Sequence, residues 1–209
     1  MIYLYAIAKG LSAVPEVNGL DDAPLDRRRG EGFDLVVSEH DAEVEPSEEA
    51  VLLHARVVEA LMPHVDALLP ARFGLAFADS AALEQALREK AETLEESLER
   101  VRGRVELGVR VVGEQSAPRE VENGREYLEA RRRQLAAADQ LHESLAARAR
   151  ASARGNASGG LVLSGAYLVD PGSIPAFREA VGELESEHPS LSFALTGPWP
   201  PYSFAGVES

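Results

Sequence analysis

With 209 residues, 45% hydrophobic and 27% charged, the chain can bury one sizeable core or two small ones, the profile of an ordinary soluble globular protein. Thirty-five acidic residues against 21 basic ones give a formal charge of −14, which repels nucleic acid and anionic lipid and leaves protein or small molecule as partner classes. Cysteine is absent, so there is no disulfide framework or thiolate metal site, and the reducing cytoplasm is the expected compartment.

The opening Met1-Ile2-Tyr3-Leu4-Tyr5-Ala6-Ile7-Ala8 lacks a basic leader region and meets Lys9 at once, so it reads as a first strand and not a signal peptide. Ile2, Leu4 and Ala6 on one pleat face and Tyr3, Tyr5 and Ile7 on the other make it apolar on both sides, the pattern of an inner strand. No apolar run approaches the roughly 18 residues that span a bilayer. After turn-rich segments around Asn18-Gly19 and Asp21 to Pro24, Phe33 to Ser38 is β-branched and apolar enough for a second strand, with an arm from Leu25 to Arg29 pairing back onto it.

Ser47-Glu48-Glu49 supplies a capping hydroxyl and two carboxylates for a helix whose stripe, Val51, Ala55, Val58, Met62, Val65 and Leu69, continues at helical spacing. Alternation from Ala71 to Ala78 predicts a strand, with Phe73, Leu75 and Phe77 on one face and Arg72 and Gly74 on the other. Residues 80–101 form an amphipathic helix, Leu83, Leu87, Ala91, Leu94, Leu98 and Val101 inside and Glu84, Arg88, Glu92, Glu95 and Glu99 outside. The cleanest one-sided strand follows at 104–112 and fits either of two sheets.

From Gly124 to Arg154 there is no proline and a high density of Ala, Leu, Arg and Glu, which predicts one helix of roughly 45 Å. Its apolar positions Leu128, Leu135, Ala138, Leu141, Leu145 and Ala149 make a narrow seam suited to a coiled-coil-like hairpin. Strands at 161–169 and 191–196 flank a last helix from Ser173 to Glu187. The predicted fold is α+β in two lobes: a ferredoxin-like domain over 1–115, and a smaller α+β domain over 116–209 that carries the long helix and the tail.

Candidate chemistry is sparse. Histidines 40, 54, 64, 142 and 188 show no i, i+4 pairing and no HExxH, so no metal site is expected. Ser38-Glu39-His40-Asp41 holds the residue types of a hydrolytic triad, but a working triad converges from separate segments, and chance composition accounts for it. Gly155 to Gly160 precedes a strand, the wrong order for a phosphate loop, and reads as a hinge. The pairs Glu48-Glu49 and Glu95-Glu96 lie on solvated helix surfaces, where nothing raises their pKa. Arg72 is the candidate for a structural clamp on a nearby carboxylate, with a ligand site as the lesser reading. No catalytic residue, cofactor box or metal ligand set is assigned.

The tail is the most specific feature. Gly197-Pro198-Trp199-Pro200-Pro201-Tyr202-Ser203-Phe204 holds the only Trp and three prolines in four positions, which rule out helix and central strand. Two readings stand: Trp199, Tyr202 and Phe204 bind a partner, or the segment folds back and staples its own domain.

Three segments in order carry a resemblance: Tyr3-Leu4-Tyr5-Ala6-Ile7, Leu69-Pro70-Ala71-Arg72-Phe73-Gly74, and the tail from Gly197 to Phe204. With Gly103 to Val109 and Gly124-Arg125-Glu126-Tyr127-Leu128 between them, the chain resembles the gas vesicle protein F/L (GvpF/GvpL) family along its whole length. Linker 113–123 and loop 152–160 are compact, which leaves F-type and L-type both open. The resemblance implies a non-enzymatic accessory or minor structural component of gas vesicles, the gas-filled, protein-walled compartments that give some microbes buoyancy. It implies a two-domain α+β fold with a ferredoxin-like first domain, a place in the cytoplasm and on the gas vesicle, and a part in assembly. The implied partners are the shell-forming protein and other gas vesicle proteins, with no cofactor, nucleic acid or lipid membrane. A small-ligand-binding or enzymatic ferredoxin-like protein is the alternative.

Overall fold

The computed structural model describes residues 1–30, 32–113, 124–157 and 160–206. Its first strand, Ile2–Lys9 (β1), is buried on both faces over Ile2 to Ala8 because it is central in its sheet. The hairpin Asp26–Arg29 (β2) and Asp34–Glu39 (β3) pairs on one side of it, Val36 facing Ala6 and Leu35 facing Ile7. On the other side Ala67–Pro70 (β4) pairs with Ala6 to Lys9, and Ala76–Phe77 (β5) with Ile2 and Tyr3. The order is β2-β3-β1-β4, all neighbours antiparallel. The exposed edge is the polar Asp-Arg-Arg-Arg of β2, pinned by a bidentate pair from Arg27 to Asp34 at 2.8 and 2.9 Å.

Glu48–Leu61 (α1) is capped as expected, the Ser47 hydroxyl accepting from the Ala50 N–H at 3.0 Å. It ends eight residues before Leu69: Pro63 closes it in a 3-10 turn, and Leu68 and Leu69 are drawn into β4 by the backbone of β1. Its buried face is His54, Val57, Val58 and Leu61, and the expected stripe member Val51 is 45% exposed.

The predicted strand over 71–78 is interrupted. Ala71 N–H reaches the Tyr5 carbonyl and Leu4 N–H the Leu75 carbonyl, so Arg72, Phe73 and Gly74 loop out between two short pairings. Gly74 takes φ +88°, which a side chain there would resist. Helix 80–101 is likewise two helices, Ser80–Glu89 (α2) and Ala91–Val101 (α3), joined at Lys90.

Val105–Gly113 (β6), Gly124–Ala146 (α4), Ala151–Arg154 (β7), Leu161–Val169 (β8), Ile174–Glu187 (α5) and Leu191–Trp199 (β9) build a second sheet in the order β7-β8-β6-β9. β8 runs antiparallel to both β6 and β7. Leu191 lies beside Gly113 and Thr196 beside Gly108, so β9 also opposes β6. In each sheet the second strand of the set is at one edge, then the third, the first and the fourth.

The long helix stops at Ala146, not Arg154. Tight turns at Arg148 and Ala149 end it, Arg150 N–H donates to the Leu168 carbonyl, and 151–154 becomes an edge strand: sheet pairing overrides the helix propensity of Ala and Arg. Ala138, Leu141 and Leu145 are buried with Tyr167, Phe177 and Val181 in the core over this sheet. Leu128 and Leu135, like the polar stretch 114–118, lie outside the described side chains and residues.

The chain divides into one compact unit of Met1–Arg104 with Trp199–Ser209 and another of Val105–Pro198. Strand 105–113 therefore belongs wholly to the second sheet, and the aromatic tail to the first unit, whereas a sequence boundary near 115 leaves both on the other side.

Candidate functional site

Pro198 is tolerated in β9 because this is an edge strand, and it follows Gly197 through a cis peptide. Beyond it the chain turns into the first unit. Pro200 and Pro201 are buried, and Tyr202–Phe204 closes a 3-10 turn against β4, Phe204 N–H donating to the Pro201 carbonyl at 3.1 Å. Phe204 and Ala205 are 7% and 4% exposed, while Trp199 and Tyr202 are 42% and 38% exposed. Burial pushes the Tyr202 phenol well above its ordinary pKa, with the Glu59 carboxylate and Tyr3 adding to the effect. Of the three predicted contact aromatics, two present surface and one anchors.

Arg72 occupies the looped-out segment and is exposed, its carbonyl accepting from Leu75 N–H at 3.3 Å. The loop it caps covers a buried polar and aromatic cluster that the sequence did not reveal. Gly74 N–H donates to the Tyr3 hydroxyl at 2.9 Å, and that hydroxyl meets His54 Nδ1 at 3.0 Å. His54 Nε2 lies 3.0 Å from the Ala71 carbonyl, an acceptor only, so Nε2 carries the proton and Nδ1 accepts from Tyr3. The circuit closes both ends of the loop onto α1. His54 is 2% exposed, and burial lowers its pKa and keeps it neutral; burial likewise pushes the Tyr3 phenol up to about 12. The rings pack as well, Tyr5 stacked on His54 at 5.5 Å and Phe73 edge-on to His54 at 5.9 Å.

Tyr5 organises a second chain. Its hydroxyl accepts from Leu20 N–H at 2.8 Å and meets Ser38 Oγ at 3.0 Å; Ser38 Oγ is 2.7 Å from His40 Nε2, and His40 Nδ1 is 3.6 Å from Asp21. Ser38 and His40, two apart, share a strand face, so the structure does assemble serine, histidine and aspartate, with Asp21 in place of Asp41. Ser38 is fully buried and its hydroxyl already bridges Tyr5 and His40, so no substrate carbonyl reaches it. The arrangement is a core hydrogen-bond chain. One signal pointed to both circuits: two tyrosines alternating on an inner strand bring two hydroxyls into a core, and each must find partners there.

Surface depressions mark this unit among the described residues. One is lined by Met1, His40, Asp79 and Ser80, another by Glu48, Leu52 and Arg56 along α1, and a groove of about 950 Å³ lies between the β2–β3 hairpin and α2–α3. None of the three is lined by Arg72, His54 or His64. Among the described residues no three metal-ligating side chains converge, and no helix is long and apolar enough to cross a membrane.

Comparison with known proteins gives one answer. The family model described as gas vesicle synthesis protein GvpL/GvpF matches residues 1–206. Gas vesicle protein F2 of Halobacterium salinarum is 30% identical over 168 residues, 78% of this chain and 71% of the relative. Gas vesicle protein L of a Streptomyces species is 32% identical over 224 aligned positions, 93% of this chain and 78% of the relative. The crystal structure of gas vesicle protein GvpF from an Anabaena species superposes with a TM-score of 0.83 at 21% identity, covering 100% of this chain and 97% of that one. That of GvpF from Microcystis aeruginosa gives 0.79 at 22% identity, covering 99% of each.

Proposed function

The chain belongs to the GvpL/GvpF family of gas vesicle proteins, and from that premise we propose that it takes part in gas vesicle formation as a non-enzymatic docking body for the shell-forming subunit. The observation that carries this reading is the division of labour in the tail. Pro200, Pro201, Phe204 and Ala205 are sunk in the first unit, and they hold Trp199 and Tyr202 at the surface on a segment with little freedom left to lose. Large aromatics held this way are the usual centres of binding hot spots. A shell subunit with a water-excluding face is aggregation-prone before incorporation, and a soluble partner of charge −14 would keep the pair in solution.

Other parts of the reading follow the same premise. The second unit, strand–helix–strand–strand–helix–strand in the order β7-β8-β6-β9, is ferredoxin-like; the first repeats that strand order with a 3-10 turn at Leu20–Asp22 in place of the first helix. Arg72 serves as a clamp on a carboxylate at the loop. The protein works in the cytoplasm and on the gas vesicle, alongside other gas vesicle proteins.

The test is co-purification of shell subunit with the intact chain and with Trp199→Ala and Tyr202→Ala, together with flotation of vesicles from cells carrying each variant. Loss of capture in both variants, at an unchanged melting temperature for Trp199→Ala, is the expected result. Capture that persists in both variants while the melting temperature falls would reduce the tail to a staple and overturn the proposal.

A further inference from the structure

Leu87 and Ala91 belong to the apolar stripe of the 80–101 segment, yet they are left out of the core. Leu83, Leu94, Leu98 and Val101 are buried, Leu87 is half-buried and Ala91 is exposed. Both instead line the groove beside the hairpin, together with Phe33. The helical residues lining it, Glu84, Leu87, Arg88, Ala91, Glu92, Glu95 and Glu96, repeat at three and four, so one continuous stripe crosses the junction at Lys90. Glu84 to Arg88 covers about one turn of α2, and Ala91 to Glu96 about one and a half turns of α3.

The rim has a definite sign. Among the described residues that line it, four glutamates stand against Arg29 and Arg88, and Arg88 lies 3.8 Å from Glu84. Lys9 braces α3, paired with the groove-lining Glu95 and, at 3.1 Å, with Glu99; Arg102 holds Glu99 through bonds of 2.6 and 3.0 Å. These bonds, the Arg102 pair foremost and Lys9 after it, hold the Glu99 carboxyl down to about 2. Glu92 and Glu96 remain exposed at the groove's mouth.

We propose that this groove is a docking site for a basic amphipathic helix of a partner protein. An apolar lining flanked by carboxylates is the complement of a helix that presents leucine-like side chains at three-and-four spacing with lysine or arginine on either side. The size agrees: a helix about 10–12 Å across, rising 5.4 Å per turn, displaces roughly 500 Å³ per turn. A groove of about 950 Å³ is therefore on the scale of one to two helical turns. This site is separate from the aromatic tail and does not depend on it.

The probe is an 18-residue fluorescent peptide of leucine and lysine, with leucine at three-and-four spacing, followed by polarisation against the whole chain at about 0.15 M salt. The control peptide carries glutamate at every lysine position. The lysine peptide binds and the glutamate peptide does not. Glu92→Lys/Glu96→Lys weakens binding about tenfold or more, and Leu87→Ser, which leaves the charge untouched, about fivefold. Glu183→Lys/Glu187→Lys on α5 makes the same charge change in the other unit and weakens binding less than about threefold. Trp199→Ala binds the peptide normally, so failure here and failure of the tail reading are distinguishable. An α5 variant as weak as the groove variant would mean attraction to net charge alone, and an unaffected Leu87→Ser would mean the apolar lining is not used. Either outcome, or no binding of the lysine peptide, overturns the proposal.

Discussion

Tyr3→Phe removes a single oxygen from the circuit that ties the 71–75 loop to α1, and its cost is calculable from the partners left behind. His54 Nδ1, on a residue 2% exposed, loses its donor outright. Gly74 N–H loses its acceptor at 2.9 Å, but Gly74 is exposed and water takes its place. A buried polar atom without a partner costs about 1–3 kcal/mol, and a replaceable bond a few tenths, so the expected loss is about 2 kcal/mol. With a urea slope of about 2 kcal/mol per molar, the midpoint drops by about 1 M. Trp199 is the only tryptophan, so its fluorescence follows unfolding without an added label. Combining Tyr3→Phe with His54→Leu should cost less than the two single changes added together, because the orphaned nitrogen is gone. A midpoint shift below about 0.3 M for Tyr3→Phe, or strict additivity in the double variant, would refute the assignment of the circuit.

Three further outcomes follow. His54 has a folded-state pKa lowered by burial below its unfolded value of about 6.5, so the unfolded state binds more protons; its contribution is complete above that pH and is lost on acidification. The stability read from urea unfolding at Trp199 should therefore fall from pH 6.5 towards 5, by up to about 1.4 kcal/mol per pH unit, and His54→Gln should flatten that slope. Gly19→Ala places a Cβ 2.4 Å from the Tyr5 hydroxyl, which must swing away from Leu20 N–H at a cost of about 1–3 kcal/mol; Tyr5→Phe in the same background relieves the clash, as the urea midpoint will show. Phe204→Ala empties a site that is 7% exposed and lowers the calorimetric melting temperature through a loss of about 3 kcal/mol, while Trp199→Ala leaves it nearly unchanged.

Local pattern revealed the elements that tertiary pairing left alone. Leu161–Val169 and the helix ending at Glu187 lie where the hydrophobic period put them, although Ser173, the expected cap of that helix, makes no side-chain capping bond. The errors share one cause. At 147–154 and at 67–70, residues with good helical credentials were claimed by a sheet edge, and the claim came from partners distant in sequence, Leu168 for Ala151 and Ile7 for Leu69. Alternation across 71–78 was genuine, but β1 has only Leu4 and Tyr5 to offer between the two pairings, so three residues of the longer strand were squeezed out as the loop. The His54 circuit was invisible for the same reason: its members come from three segments, and only the hydroxyls of Tyr3 and Tyr5 announced that partners must exist.

The tail shows why composition posed its two readings as alternatives when geometry does not. Three prolines fix the path of the chain, and a fixed path must alternate what it shows and what it buries: Trp199 out, Pro200 and Pro201 in, Tyr202 out, Phe204 in. The staple is then the condition for docking. An indole on a free terminus would have to be ordered on binding, at about 0.5–1.5 kcal/mol for each immobilised side chain and more for the backbone, whereas one held by a buried Phe204 has met that cost during folding. Stability and capture should therefore separate cleanly by residue in the tail, the buried members governing the first and the exposed members the second.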